Sequence, residues 1–164
     1  MKNQLLMMST IAVVYATLVA PVQAQDYKNK IFSQRTGPDK CLGILAGTTD
    51  HPIMADCKNF TAEYWSVEKF GKGYTKFRNS LTAETQCLGL RTGTNTVKMA
   101  DCNDNIPHQH WTVVPSNTAG YVRILNQAAG AENCLGIKES PDSSELDVNP
   151  CGTFFGQMWK IVQK

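Results

Sequence analysis

The chain has 164 residues, of which 42% are hydrophobic and 18% are charged, and its formal net charge is +2 at neutral pH. This balance, without a run of basic residues, argues against nucleic acid as a partner, because phosphate binding needs a clustered basic face. The length suits one domain with a single hydrophobic core.

The first 24 residues have the pattern of a secretory signal peptide. Lys2 precedes an uncharged, mostly apolar run over residues 5–20, and Val22-Gln23-Ala24 resembles a cleavage site. This run is shorter than the ~20 residues that a membrane-spanning helix needs. We therefore predict a signal peptide over residues 1–24, a folded domain over 25–164, no transmembrane segment and an extracellular, secreted protein.

One block of sequence occurs three times. A Cys-Leu-Gly segment begins at Cys41, Cys87 and Cys134, a second cysteine follows at Cys57, Cys102 and Cys151, and a tryptophan closes each block at Trp65, Trp111 and Trp159. The first cysteines are 46 and 47 residues apart (87 − 41 and 134 − 87). A fixed period of this length indicates a structural unit that is repeated three times.

Each repeat contains four short apolar segments in the same order. The first occupies residues 30–33, 74–79 and 121–126, and its later copies alternate apolar and polar residues as a half-buried strand does. The second is the Cys-Leu-Gly segment, the third runs into the second cysteine, and the fourth contains the tryptophan; glycine-, proline- and Asx-rich turns separate them. We predict an all-β fold of twelve strands without a substantial helix, closed around Trp65, Trp111 and Trp159 as equivalent core residues.

All six cysteines fall within the repeats. Secretion implies an oxidising environment, so they are expected to form three disulfides. Six cysteines allow 15 pairings, and the repeat favours one bridge inside each unit: Cys41–Cys57, Cys87–Cys102 and Cys134–Cys151. A zinc site would need C-x-x-C pairs, which the chain lacks, and the three histidines share no face, so we predict no metal and no cofactor.

The tryptophan segments resemble those of a known family. Gln109-His110-Trp111 and Gln157-Met158-Trp159 match the Q-x-W motif of the ricin-B-type β-trefoil lectins, and Glu63-Tyr64-Trp65 is a degenerate first copy. The resemblance covers essentially residues 26–164 and includes the cysteine pair of each repeat. It implies a β-trefoil, three lobes around one core, with at most one shallow sugar pocket per lobe.

The sugar pockets that this resemblance implies are altered in all three lobes. The family usually has an aspartate two residues after the first cysteine, where this chain has glycine, and an aromatic residue two before the second cysteine, where it has Ala55, Ala100 and Asn149. The third lobe keeps the most suitable side chains. We predict carbohydrate binding there by Asp147, Asn149, Gln157 and Phe155. Gln109 and Gln157 are expected above all to hydrogen-bond backbone, and one of Phe154 and Phe155 to point outward or lie in a loop, because neighbouring strand residues face opposite sides.

No catalytic motif or free cysteine nucleophile is present in the sequence, so we predict that the chain is not an enzyme. The predicted function is a lectin-like protein that binds glycans or glycoproteins. The alternative is a receptor-binding or delivery subunit of a multi-component toxin, with a toxin partner subunit, because the chain more weakly resembles the trefoil subunits of bacterial cytolethal distending toxins. A third class is a Kunitz-type protease inhibitor, which shares the trefoil shape.

Overall fold

The computed structural model describes residues 26–82 and 85–164, so the predicted signal peptide lies outside the described residues. These residues form twelve strands: β1 Asn29–Ser33, β2 Lys40–Ile44, β3 Pro52–Asp56, β4 Trp65–Phe70, β5 Tyr74–Asn79, β6 Gln86–Leu90, β7 Val97–Asp101, β8 Trp111–Pro115, β9 Val122–Asn126, β10 Asn133–Ile137, β11 Leu146–Pro150 and β12 Trp159–Gln163. Single 3₁₀ turns precede β4, β8 and β12, at Thr61–Glu63, Pro107–Gln109 and Phe155–Gln157. Strands β1–β4, β5–β8 and β9–β12 are called lobes 1, 2 and 3.

Six strands close into a barrel. Antiparallel pairing runs from β1 through β4, β5, β8, β9 and β12 and returns to β1. The other six form the hairpins β2–β3, β6–β7 and β10–β11. Each hairpin hydrogen-bonds its neighbour: the amides of Met54, Met99 and Val148 donate to the carbonyls of Ser144, Asp50 and Asn95. This three-fold arrangement is the β-trefoil that the resemblance to the ricin-B-type lectins implied.

The three tryptophans occupy equivalent places in one core. Trp65, Trp111 and Trp159 are completely buried. Each indole Nε1 donates a 2.8 Å hydrogen bond to a backbone carbonyl of its own lobe's Cys-Leu-Gly strand, at Leu42, Leu88 and Leu135 respectively. The indoles therefore fill the core without leaving a buried N–H unpaired, which would cost about 1–3 kcal/mol for each.

The disulfides join the predicted partners. Cys41–Cys57, Cys87–Cys102 and Cys134–Cys151 have Cα–Cα distances of 5.5, 5.0 and 5.0 Å. Each bridge connects the second strand of a lobe to the residue just after its third strand, and closing such a loop contributes about 3 kcal/mol in the loop-entropy model. Among residues 26–82 and 85–164, no helix has the length and apolarity needed to cross a membrane.

The glycine of each Cys-Leu-Gly segment lets the 3₁₀ turn lie against the hairpin. A Cβ on Gly89 would come within 2.9 Å of the Gln109 Cγ, and a Cβ on Gly136 within 3.0 Å of the Gln157 Cγ. In lobe 1 a Cβ on Gly43 would lie 3.2 Å from a turn carbonyl. These close approaches place the 3₁₀ turn directly beside the paired strands in every lobe.

Candidate functional site

A surface pocket of about 700 Å³ lies in lobe 3, between the β10–β11 hairpin and the 3₁₀ turn before β12. It brings together all four residues for which the sequence predicted ligand contact: Asp147, Asn149, Phe155 and Gln157. The phenyl ring of Phe154 and the backbone of Gly136 also line it. These residues bring one carboxylate, two amides and two aromatic rings to the pocket.

The Asp147 carboxylate lies over Gly136. The register of β10 and β11 pairs Gly136 with Asp147 and Cys134 with Asn149. Directly paired residues project to the same face of a sheet, and the Asp147 Oδ1 is 3.9 Å from the position that a Cβ on Gly136 would take. A carboxylate from the opposite strand therefore lies over the glycine that stands two residues after the first cysteine.

Asn149 orients this carboxylate. Its Nδ2 donates a 2.6 Å hydrogen bond to the Asp147 Oδ2, and Oδ1 accepts no hydrogen bond from the described residues. Burial raises the pKa of Asp147; the Asn149 hydrogen bond and the charge of Lys138 oppose this rise, and Glu139 adds to it. A partly desolvated carboxylate with one free oxygen is a strong acceptor for a hydroxyl donor.

The other two lobes lack this pair. In lobe 1 the residues across from Gly43 and Cys41 are Ile53 and Ala55. In lobe 2 the residue across from Gly89 is Lys98, and Ala100 takes the place of Asn149. Within the described part of the chain, the carboxylate and its orienting amide therefore occur together at this register position in lobe 3 alone.

The Q-x-W glutamines hold the fold. The Gln157 Oε1 accepts a 2.8 Å hydrogen bond from the Gly152 amide, and its Nε2 donates to the Pro150 carbonyl at 3.1 Å. Gln109 makes the same two contacts in lobe 2, with the Asn103 amide and the Asp101 carbonyl, both at 2.8 Å. This geometry confirms the structural role predicted for both glutamines; a ligand contact by Gln157 stays a prediction.

Both phenyl rings at the pocket edge are exposed, Phe154 to 53% and Phe155 to 63%. Strand alternation would have turned the two rings to opposite faces. The two residues do not alternate in this way because neither lies in a strand: Phe155 begins the 3₁₀ turn and Phe154 immediately precedes that turn. Two adjacent aromatic faces are therefore available beside the carboxylate.

Two pocket residues, Arg35 and Glu139, were missed by sequence reasoning. Arg35 follows β1 and belongs to lobe 1, yet its guanidinium donates to the carbonyls of Lys138, at 2.9 Å, and of Ser140. The pocket wall is thus built by two lobes, through residues that are 103 positions apart in sequence. Reading each repeat as a separate unit could not find this contact.

A third missed residue, Arg123, supports the loop that carries the phenyl rings. Its Nη2 donates a 2.8 Å hydrogen bond to the Gly152 carbonyl. The equivalent cations in the other lobes also reach the loop after the second cysteine: Lys30 Nζ donates to the Asn59 Oδ1 at 2.8 Å, and Lys76 forms an ion pair with Asp104. The sequence did contain a signal for these contacts: in every repeat a basic residue comes just before the buried residue of the first strand.

Cys41, Cys57 and Glu63 are the one group of described side chains with atoms close enough to share a metal ion. The two cysteines form a disulfide, so their sulfurs are not thiolates, and Glu63 pairs with Lys30 at 2.8 Å. These contacts give the group a structural explanation.

Comparison with known proteins is consistent with this geometry. The model of the ricin-type beta-trefoil lectin domain family matches residues 30–159. No curated protein matches the chain.

Several solved structures share the fold. The GlcNAcα1-4Gal-releasing endo-β-galactosidase of Clostridium perfringens aligns at 23% identity and a TM-score of 0.70 over 84% of this chain, which spans only 32% of that protein. The cytolethal distending toxin of Haemophilus ducreyi aligns at 16% identity and a TM-score of 0.68, over 90% of this chain and 89% of its own. The ricin B-like lectin of Macrolepiota procera, in complex with lactose, aligns at 14% identity and a TM-score of 0.68, over 87% of this chain and 100% of the lectin. With the family model matching most of its length, the chain belongs to the ricin-type β-trefoil lectin domains.

Proposed function

We propose that this chain is a secreted, non-enzymatic lectin whose lobe-3 pocket binds a glycan. The observation that carries the proposal is the position of Asp147 over Gly136, oriented by Asn149 and beside two exposed phenyl rings. Sugar recognition requires hydrogen-bond acceptors for hydroxyls and an apolar face for the C–H side of the ring. Lobe 3 offers both, although its residues differ from those of the family pattern.

The proposed contacts follow from the free atoms of the pocket. The Asp147 Oδ1 accepts a sugar hydroxyl, and the Asn149 side-chain oxygen accepts a second hydroxyl nearby. A phenyl ring of Phe154 or Phe155 covers the C–H face of the sugar. A sugar that lacked the matching hydroxyl would leave a partly buried carboxylate oxygen unpaired, and this penalty is the source of discrimination.

The rest of the molecule supports a role as a binding module. Three disulfides suit an oxidising extracellular environment. One pocket of this shallow kind binds a single sugar weakly, and clustered ligands strengthen attachment through multivalency when several copies of the protein act together. We therefore expect binding to depend strongly on glycan density.

A glycan array of residues 25–164 tests the proposal, with Asp147→Ala as the variant and Lys98→Ala as its matched control at the equivalent register position of lobe 2. We expect signal on a restricted set of glycans at high density, a loss of about tenfold or more in Asp147→Ala, and no change in Lys98→Ala. Silence of the folded wild-type protein, or equal binding by Asp147→Ala, would contradict the proposal.

A protein-binding role, as the delivery subunit of a multi-component toxin, is the second candidate. It is favoured by an apolar residue at the same exposed position of every lobe, just before the 3₁₀ turn: Phe60 at 63%, Ile106 at 36% and Phe154 at 53% exposure. In lobe 1 this residue has no acid–amide pair beside it. Stoichiometric co-purification of an enzyme subunit from the native source, abolished by Phe60→Ser, would support this role; a monomeric native protein would argue against it.

A further inference from the structure

A second pocket, of about 530 Å³, lies away from lobe 3. It is formed between the turn of the β4–β5 hairpin, residues 71–73, and the loop over residues 104–110 in lobe 2. None of its lining residues lines the lobe-3 pocket. No Cys-Leu-Gly strand contributes to it, so it is distinct from the three positions at which the lobes repeat one another.

Three aromatic rings form one side of this pocket. The His110 ring stacks on Tyr74, with centroids 5.0 Å apart and planes 25° apart, and meets Phe70 edge-on at 4.9 Å. Both ring nitrogens of His110 have a polar neighbour: Nε2 lies 3.0 Å from the Asp104 carbonyl oxygen, and Nδ1 lies 2.6 Å from the Gln127 Oε1. His110 is only 8% exposed, so the aromatic surface is fixed in place before any ligand arrives.

The rim of the pocket has an unbalanced positive charge. Lys76 lies under the ring of Phe70, with its Nζ 4.4 Å from the centroid, and forms an ion pair with Asp104 that neutralises both groups. Lys72, exposed at the hairpin turn, has no charged or hydrogen-bonded partner among the described residues. Its ammonium group is therefore available to an anionic group of a ligand.

We propose that this pocket is a second saccharide site, specific for a sugar unit that carries a carboxylate, such as a uronic or sialic acid. The sugar ring packs on the faces of Tyr74 and Phe70, its carboxylate pairs with Lys72, and the Gln127 amide hydrogen-bonds a hydroxyl. An aromatic surface ringed by a few convergent polar groups is the usual composition of a small-ligand site. The site does not use Asp147, so this proposal can be tested independently of the lobe-3 proposal.

Titration of the ¹⁵N-labelled protein tests this site, with methyl glucuronide and N-acetylneuraminic acid as acidic probes and methyl glucoside as the neutral counterpart. We expect at least one acidic probe to shift the amide signals of residues 71–74 and 104–110, and the glucoside to shift them far less. Absence of shifts there with both acidic probes, or equal shifts with the glucoside, would overturn the proposal.

Variants separate this site from lobe 3. Lys72→Gln, at an exposed turn that should tolerate it, should weaken acidic-probe binding about two- to fivefold, and Tyr74→Ala about tenfold. Asp147→Ala should leave the shifts at residues 71–74 unchanged. Unaltered binding by Lys72→Gln would refute the assigned charge pairing, and loss of these shifts in Asp147→Ala would refute the independence of the site.

Discussion

Glu63→Gln restores the Q-x-W motif in lobe 1, and we nevertheless expect it to destabilise the protein. Glu63 and Lys30 are each only 3% exposed and pair at 2.8 Å. The Glu63 carboxylate also accepts 2.8 Å hydrogen bonds from the amides of Lys58 and Asn59. Removing one partner of a buried pair costs about 3–5 kcal/mol; because Lys30 keeps its hydrogen bond to the Asn59 side chain, we expect about 3 kcal/mol.

Urea unfolding with the disulfides intact measures this loss. The double variant Lys30→Met/Glu63→Gln should recover most of the free energy of unfolding, since neither charge then remains buried. Asp56→Asn is the control, because its pair with Lys40 is about half exposed and should change the free energy by less than ~1 kcal/mol. Glu63→Gln as stable as the wild type would refute the reasoning.

The buried Lys30–Glu63 pair also predicts how acid changes the free energy of unfolding. Burial opposes ionisation of Glu63, but hydrogen bonds from Lys30, Lys58 and Asn59 outweigh burial and hold the pKa of Glu63 below its usual 4.5. A lowered folded-state pKa stabilises the fold above pH 4.5, and this stabilisation is lost as the pH falls through the folded-state value. The free energy of unfolding of Glu63→Gln should therefore fall less steeply with acid than that of the wild type.

Four further outcomes are expected. Because the pKa of Asp147 is raised above its usual 3.8, glycan binding should begin to weaken, as the pH is lowered, at a higher pH than it would with an ordinary aspartate. Ionising this carboxylate disfavours the fold, so Asp147→Asn should melt at a higher temperature than the wild type at neutral pH. An unchanged melting temperature would count against the raised pKa. Trp111→Ala should lower the free energy of unfolding in urea by about 3–5 kcal/mol, and a loss under ~1 kcal/mol would argue against the common core. Arg123→Met should lower the glycan affinity measured by titration several-fold, because the Gly152 carbonyl loses its hydrogen bond, while the circular dichroism spectrum stays unchanged. Wild-type affinity would show that the loop carrying Phe154 and Phe155 needs no support from Arg123.

The repeat made the fold predictable. Equivalent cysteines and tryptophans mark each lobe. Because the unit recurs three times, its strands can be assigned in every lobe without knowledge of the tertiary contacts. The bridges within lobes follow from the same equivalence, and so does the burial of Trp65, Trp111 and Trp159. Features shared by all lobes were accordingly predictable from residue types and spacing.

Features peculiar to one lobe were harder to predict. The sequence marked Asp147 as polar, but its position over Gly136 depends on the hairpin register. Arg35 reaches lobe 3 only because β1 pairs with β12 when the barrel closes. The pairing of Lys30 with Glu63 joins residues 33 apart. Each of these contacts is set by tertiary closure, which local spacing does not encode.

A crystal structure of the protein with the strongest glycan from the array tests the central claim most directly. We expect a sugar in the lobe-3 pocket, with a hydroxyl about 2.5–3.0 Å from the Asp147 Oδ1 and the ring against Phe154 or Phe155. A sugar bound over the lobe-1 or lobe-2 hairpin, with the lobe-3 pocket empty, would contradict the account.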